Sequence, residues 1–508
     1  MHLQARTHPL ARGAALPVPL PAAIVLGSLL LGFLTLLLPS APTYDPFSWI
    51  IWGREILHLD LNTVDGPSWK PLPVIVTTLT APLGEASPYI WVAVARAGAF
   101  ASVWLAWLLA ARLGGRVAGF VAAAGLALMP WYIRHNALAN SEGIMVALVF
   151  AGVLLHLNGR RGWAFTMAIG AGLLRPEAWP FLGLYALWLL WEDRTRLRWL
   201  ALSLVSIPVL WLGPELWGSG NAFRASDRAQ KPNRDSPAFA EHPALEVTKD
   251  AIGLAPAAAI VGVVLALGLA AFALLRGGAG VGGAGLGSVG GVGAERAAED
   301  GASGLRGRLP SRHDAAVALA LGVLAIAWIG LVAVMTTRGF SGNQRYLIVP
   351  AALLILLGGV GVAWAVRALV PDGAALPAVA AVAAVVLAAL FVGPGADTIR
   401  GTLRTVEYQV DLYRDLGTLI DEGGGADAVK ACGTAVTGPF MVPQVAWRLH
   451  RHTGEVKVEP EPGKRAVFFH VRLTGGAKVG PPVSAARPYE LARAGHWLLT
   501  SDCERGAR

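Results

Sequence analysis

Long apolar runs alternate with short polar gaps over most of this chain. An α-helix needs roughly 20 apolar residues to cross a bilayer. Runs of that length or somewhat shorter predict helices over 17–38, 88–111, 117–133, 143–158, 163–174, 176–191, 197–217, 251–275, 314–335, 346–367 and 374–395. Two of them, 163–174 and 176–191, are short and meet at Arg175-Pro176. They read as tilted or partial helices joined at a buried turn, where other protein rather than lipid satisfies the backbone. From about Ala396 the pattern changes. "DTIRGTLRTVEYQVDLYRDLGTLIDEG" has helical periodicity, whereas "AVKACGTA", "EVKVEPE", "RAVFFHVRL" and "HWLLTSDC" read as short strands. The pattern therefore predicts an α-helical polytopic membrane protein of about 11 transmembrane helices over 1–395, followed by a small α/β domain over 396–508.

Composition agrees with this pattern. Of 508 residues, 55% are hydrophobic and 15% charged, against about a quarter charged in a soluble chain. The N-terminal apolar run from about Leu16 to Leu38 is too long for a signal peptide and is read as a first membrane helix that stays. The net charge of +9 is spread over loops and is no nucleic-acid signal. Arg112 and Arg116, Arg160 and Arg161, Arg194, Arg196 and Arg198, and Arg367 fall in gaps on one side of the membrane. The segment 276–313, with five arginines, falls there too. The positive-inside rule makes that side cytoplasmic. Eleven crossings then place the N-terminus inside and the C-terminal domain outside, in a multi-pass plasma-membrane protein. The glycine-rich stretch 276–304 lacks the flanks of a phosphate loop and reads as a flexible cytoplasmic linker. Both cysteines, Cys432 and Cys503, lie in the domain assigned to the outer, oxidising side, which predicts a disulfide.

Candidate chemistry gathers at the outer ends of the helices. The outer juxtamembrane loop 39–87 contains Asp45 and Lys70; Arg134, His135 and Glu142 end one helix and begin the next; Arg175 and Glu177 sit at the short turn. Arg338, Arg345 and Tyr346 lie in "TTRGFSGNQRYLIVP". Ionisable groups at membrane depth are costly and mark sites or pathways. Carboxylates able to take a hydroxyl proton, beside cations able to hold a phosphate, suit glycosyl transfer from a lipid-phosphate sugar. Plainer readings stand beside this one. Asp45 before Pro46 fits a helix N-cap, Lys70 and Arg96 fit snorkelling side chains, and Arg134, Glu142 and Arg345 fit anchors or caps at helix ends. Trp49, Trp52, Trp69 and Trp131 fit an interfacial belt as well as sugar stacking; His58 and His135 fit surface histidines. No metal-ligand spacing is present, so no cofactor is evident and a divalent cation is unsupported.

Three motifs carry a resemblance: "TYDPFSW", "WKPLPVIVTTLTAPLGEASPYIWVAVARAGAF" and "YIRHNALANSEG", with "NQRYLIVP" more loosely. In their order and common side they resemble the GT-C class of polytopic glycosyltransferases. That group includes protein O-mannosyltransferases, lipid A aminoarabinose transferases and actinobacterial arabinofuranosyl- and mannosyltransferases. The resemblance covers about residues 15–200. It implies a GT-C-like membrane domain, a polyprenyl-phosphate sugar donor and an inverting transfer to an envelope glycan or glycolipid acceptor. Asp45 matches the catalytic acid and Glu142 a second acid. Lys70 matches a lysine on the lipid phosphate, with Arg96, Arg134, Arg345 and Tyr346 as further candidates there. Trp49, Trp69, Arg175, Glu177 and Arg338 are candidates for the acceptor or sugar. Pro46 stands where many members have a second acidic residue. The alternative is a transporter or flippase of lipid-linked glycans, but no internal repeat is found.

Overall fold

The computed structural model describes residues 20–278, 309–369, 375–472, 478–479 and 489–502. The first half contains α1 (Leu20–Leu34), α2 (Tyr44–Leu57), α3 (Pro71–Thr80), α4 (Ser87–Leu128), α5 (Pro130–Ala137), α6 (Glu142–Leu157), α7 (Arg161–Leu174), α8 (Trp179–Glu192) and α9 (Leu197–Ser219). Then come α10 (Arg224–Ala229), α11 (Pro243–Leu254), α12 (Ala257–Gly278), α13 (Arg312–Thr337), α14 (Ile348–Leu369) and α15 (Ala375–Glu422). The fold is a polytopic helical bundle followed by a small sheet domain.

The apolar runs do not map one to one onto helices. Among the described residues six helical segments are long and apolar enough to cross a membrane, or seven if the bent pair α5–α6 is one span. The runs 88–111 and 117–133 largely merge into α4, which turns at Gly115, where φ is +78°. Glycine adopts that left-handed conformation without a Cβ clash. α7 and α8 have 14 residues each, short for a crossing, and Arg175 and Glu177 in the break between them are buried. The run 374–395 falls almost wholly in α15, but the side chains of 375–394 are outside the described residues.

The bundle is organised around α14, which is buried continuously from Ile348 to Gly361. A helix apolar on every face belongs inside. It lies against α12 at Gly262, Gly358 and Gly361, so close that a Cβ at Gly361 would overlap the Gly262 carbonyl. Small residues are what such a close helix crossing requires.

Among the described residues, two short helices, α16 (Ala426–Ala431) and α17 (Val442–Arg448), and five strands follow: β1 (Thr434–Thr437), β2 (Ala466–Arg472), β3 (Lys478–Val479), β4 (Tyr489–Ala494) and β5 (Trp497–Ser501). The sheet order is β1-β2-β5-β4, with β3 also paired to β2. β1 and β2 are parallel, Thr434 opposite Ala466, and β2, β5 and β4 are antiparallel. The expected strand in "EVKVEPE" is reduced to one bridge, Val436 to Lys457, and "YELARA" supplies β4 instead. Cys503 lies outside the described residues, and the expected Cys432–Cys503 bond lies there with it.

The expected boundary at 395–396 falls inside the continuous helix α15. Its C-terminal half carries Leu412, Leu416 and Leu419 into the sheet, where they join Phe469, Trp497 and Leu499 in the same apolar core as Phe47, Trp49 and Trp52 of α2. Trp497 donates its indole N–H to the Leu412 carbonyl at 2.9 Å. This overturns the interfacial reading for three of the four tryptophans, Trp131 being half-buried. Trp49, Trp52 and Trp69 are fully buried, because α3, α4 and the C-terminal domain cover the face of α2 that an isolated juxtamembrane loop would leave in lipid.

Candidate active site

Four helix breaks bring the candidate residues together. The first is the start of α2. Thr43 occupies the N-cap position and makes no side-chain cap; its hydroxyl instead donates to the Leu138 carbonyl at 3.0 Å, tying α2 to the bend between α5 and α6. Asp45 is thus in the first turn and is not the cap. The second break is that bend itself, where the two helices meet at 115° and Ala139 has a φ of +60°. Trp91 of α4 holds it by donating to the Ala139 carbonyl at 3.0 Å. Glu142 opens α6 directly after it. Arg175 and Glu177 come from the α7–α8 break. Arg345 and Tyr346 come from a short 3-10 turn, Gln344–Leu347, that precedes α14.

One guanidinium joins the two acids. Arg345 donates from Nη1 to Asp45 Oδ2 at 2.7 Å and from Nε to Glu142 Oε1 at 2.7 Å. Arg175 donates from Nη2 to the same Glu142 oxygen at 2.6 Å and lies 4.9 Å from the centre of the Tyr346 ring. Its Nη1 is 3.9 Å from Glu177 Oε1, and both Glu177 oxygens are buried with no hydrogen-bond partner among the described residues. Lys70 occupies the N-cap position of α3 without a side-chain cap bond, its ammonium 5.0 Å from the centre of the Trp49 ring.

The two linked acids differ in access. The Asp45 side chain is 20% exposed and Arg345 19%, whereas Glu142 is 1% exposed. Asp45 is therefore the carboxylate a substrate can reach, and Glu142 is the sealed one, held by two arginines. Burial alone would raise the Asp45 carboxyl; the Arg345 and Lys70 cations outweigh it and hold the group below its usual range. At Lys70, burial depresses the ammonium to about 7, and Arg175 and Arg345 add to the effect. A phosphate bound there would favour the charged form again. The cluster combines three cations, Lys70, Arg175 and Arg345, with three carboxylates, Asp45, Glu142 and Glu177. Such a buried network holds together only while each charge keeps its partner.

Other candidates lie elsewhere. Arg96 is buried, but its donors are committed to the Thr35, Pro39 and Ala137 carbonyls and the Ser40 hydroxyl at 2.7–3.2 Å. It clamps the end of α1 to α5 and does not reach the ion-pair cluster. Arg134 donates to Thr405 Oγ1 at 3.4 Å and lies over Trp131 at 5.9 Å. Arg338 is exposed at the end of α13. Trp69 donates to the Leu210 carbonyl at 3.0 Å, a packing role. His135 is buried rather than at the surface, stacked on Trp131 with ring centres 6.0 Å apart. Among the described residues no three His, Cys, Asp or Glu side chains stand together as a metal site.

Sequence reasoning missed Glu215 and Arg224. Arg224 donates to the Pro67 carbonyl at 2.8 Å and the Gly66 carbonyl at 3.2 Å, and pairs with Glu215 at 3.3 Å. It thereby fixes the loop that leads into Lys70. A lone carboxylate inside the apolar run 197–217 was the available signal.

No protein-family model matches the chain, and no curated protein matches its sequence. Among solved structures, the crystal structure of ArnT from Cupriavidus metallidurans bound to undecaprenyl phosphate is similar at 13% identity and a TM-score of 0.53, over 96% of this chain and 98% of that one. The apo structure of the same protein is similar at 14% identity and a TM-score of 0.49, over 95% and 97%. Nearly full coverage of both chains in the first comparison extends the likeness well beyond the motif-bearing residues 15–200. This chain shares the fold of the ArnT structure.

Proposed function

We propose that this protein is an inverting membrane glycosyltransferase. It moves a sugar from a polyprenyl-phosphate donor to an envelope glycan or lipid acceptor on the extracytoplasmic face of the plasma membrane. The observation that carries the proposal is the asymmetric ion-pair cluster: a reachable Asp45 held by Arg345, with Lys70 alongside, inside an apolar bundle. The solved structure of ArnT carries undecaprenyl phosphate, which supports a lipid phosphate as the donor group here.

In the reaction, Asp45 takes the proton of the acceptor hydroxyl as its oxygen attacks the anomeric carbon. The bond between that carbon and the phosphate oxygen breaks, and polyprenyl phosphate leaves with the electron pair. One displacement inverts the anomeric centre. Lys70 and Arg345 stabilise the charge gathering on the leaving phosphate. Glu142 positions Arg345 and Arg175 without touching substrate, and Glu177, equally buried and 3.9 Å from Arg175 Nη1, helps position Arg175. The test is sugar release from polyprenyl-phosphate arabinose and polyprenyl-phosphate mannose, in membranes containing the protein or its Asp45→Asn variant at equal expression. Turnover of one donor that vanishes in the variant supports the proposal and names the sugar. Absence of turnover with the donor still crossing the bilayer moves the reading to a flippase.

A further inference from the structure

The loop that ends at Lys70 rests on a carboxylate buried at the end of a membrane-length helix. Glu215 lies in the last turns of α9 with none of its side chain exposed, and Arg224, which opens α10, is 9% exposed. The guanidinium pairs with Glu215 and turns its other donors to the loop. Nη1 also reaches the Pro67 carbonyl, Nη2 the Gly66 carbonyl, and Nε the Val64 carbonyl at 3.4 Å. Neighbouring bonds run the same way. Ser68 Oγ donates to the Ala225 carbonyl at 3.0 Å, and the Thr63 N–H donates to the Gly218 carbonyl at 3.1 Å. With the Trp69 indole on the Leu210 carbonyl, the whole stretch from Thr63 to Trp69 is laid on α9 and α10. Lys70 is the next residue.

Stability alone does not call for charges here, because a buried ion pair is often no better than apolar side chains of similar size. What apolar side chains cannot do is satisfy three loop carbonyls at once. A guanidinium presents its donors in a fixed fork, and Glu215 balances that cation inside the bundle. The fork therefore dictates where backbone 64–67 sits. Lys70 depends on that placement. Among the described residues its ammonium has no ion-pair partner, and the Trp49 ring is the contact that faces it. The position of the charge is thus set by the backbone that delivers it.

We propose that Arg224 and Glu215 are positioning residues for the donor phosphate: without touching it, they set donor affinity by holding Lys70 in place. The inference rests on the proposed role of Lys70 at that phosphate. The experiment is a double-mutant cycle on binding of undecaprenyl phosphate to the full-length protein in detergent, the bound fraction being read by native mass spectrometry. Lys70→Ala should weaken binding about tenfold, the loss of one charge-assisted hydrogen bond. Arg224→Gln should weaken it nearly as much, and the two changes together no more than Lys70→Ala alone. Ser68→Ala removes one tie of the same loop and leaves the buried charges intact. It should weaken binding less, lose its effect when Lys70 is alanine, and carry the test if Arg224→Gln does not fold. A role confined to stability would leave the affinity of the folded protein unchanged, or add its loss to that of Lys70→Ala; either result overturns the proposal. Unchanged affinity in Lys70→Ala would instead take Lys70 off the phosphate, and the proposed donor contact would fall together with this inference.

Discussion

The two ends of α2 carry two carboxylates in opposite circumstances. Asp45, in the first turn, is paired with Arg345 and remains reachable from outside. Glu55, in the last turn, is buried and faces the C-terminal domain. There His452 Nδ1 lies 2.8 Å from Glu55 Oε1 and its Nε2 3.2 Å from Asp60 Oδ2, while the Asn62 N–H donates to Glu55 Oε2 at 2.9 Å. Arg54 adds a bond to the Arg451 carbonyl at 2.9 Å and lies over Trp447 at 5.1 Å. One helix therefore presents an accessible carboxylate at one end and a joint at the other. Burial and partner type, not residue type, separate the two roles. A guanidinium with spare donors leaves Asp45 open to substrate; an imidazole and a backbone amide satisfy Glu55 completely.

The sharpest way to break this contrast is the same chemical change at both ends. Asp45→Asn should lower sugar transfer by roughly 10²–10⁴-fold, the usual loss of a general base, with the melting temperature retained. Glu55→Gln should leave turnover within about twofold and cost about 1 kcal/mol of stability, one hydrogen bond's worth. Equal losses of turnover at both positions would end the distinction. Removing the cation comes next: Arg345→Gln leaves Asp45 and Glu142 short of a buried partner and should cost about 3–5 kcal/mol, read by thermal unfolding in detergent.

A smaller effect tests Lys70. Its ammonium is depressed to about 7, so the cation proposed to meet the donor phosphate is present below that pH and lost as pH rises through it. Donor kcat/KM should fall between pH 6 and 8.5, and Lys70→Arg should flatten the profile, because a guanidinium stays charged throughout. The smallest effect concerns the joint. Burial raises Glu55 from 4.5 to about 6. At His452, burial opposes the charged ring, but the bond it donates to Glu55 and the attraction of Glu55, Asp60 and Glu455 outweigh it and raise the group above 6.5. Both groups hold protons more tightly when docked. Glu55's contribution is therefore full below pH 4.5 and lost as pH rises through about 6, and His452's is full below 6.5 and lost as pH rises above it. The melting temperature should be a few degrees higher at pH 5 than at pH 8, and His452→Gln should reduce that difference.

The chain's own pattern determined the helical bundle, the small C-terminal sheet domain, and the candidacy of Asp45, Lys70, Glu142, Arg175 and Arg345. These rest on local properties: run length, periodicity, and the cost of an ionisable group within oil, which makes each one conspicuous. Tertiary structure alone decided which of them meet. Arg345 lies 300 residues from Asp45 and 203 from Glu142, and no local rule selects it over Arg96 or Arg134, which turn out to bond elsewhere. Tertiary structure also took Trp49, Trp52 and Trp69 out of the interface, because whether an aromatic residue faces lipid depends on what else packs over it. The joint at Glu55 was invisible for the same reason. A carboxylate's role is set by its partners, and His452, 397 residues away, reaches Glu55 only when the C-terminal domain folds back over α2.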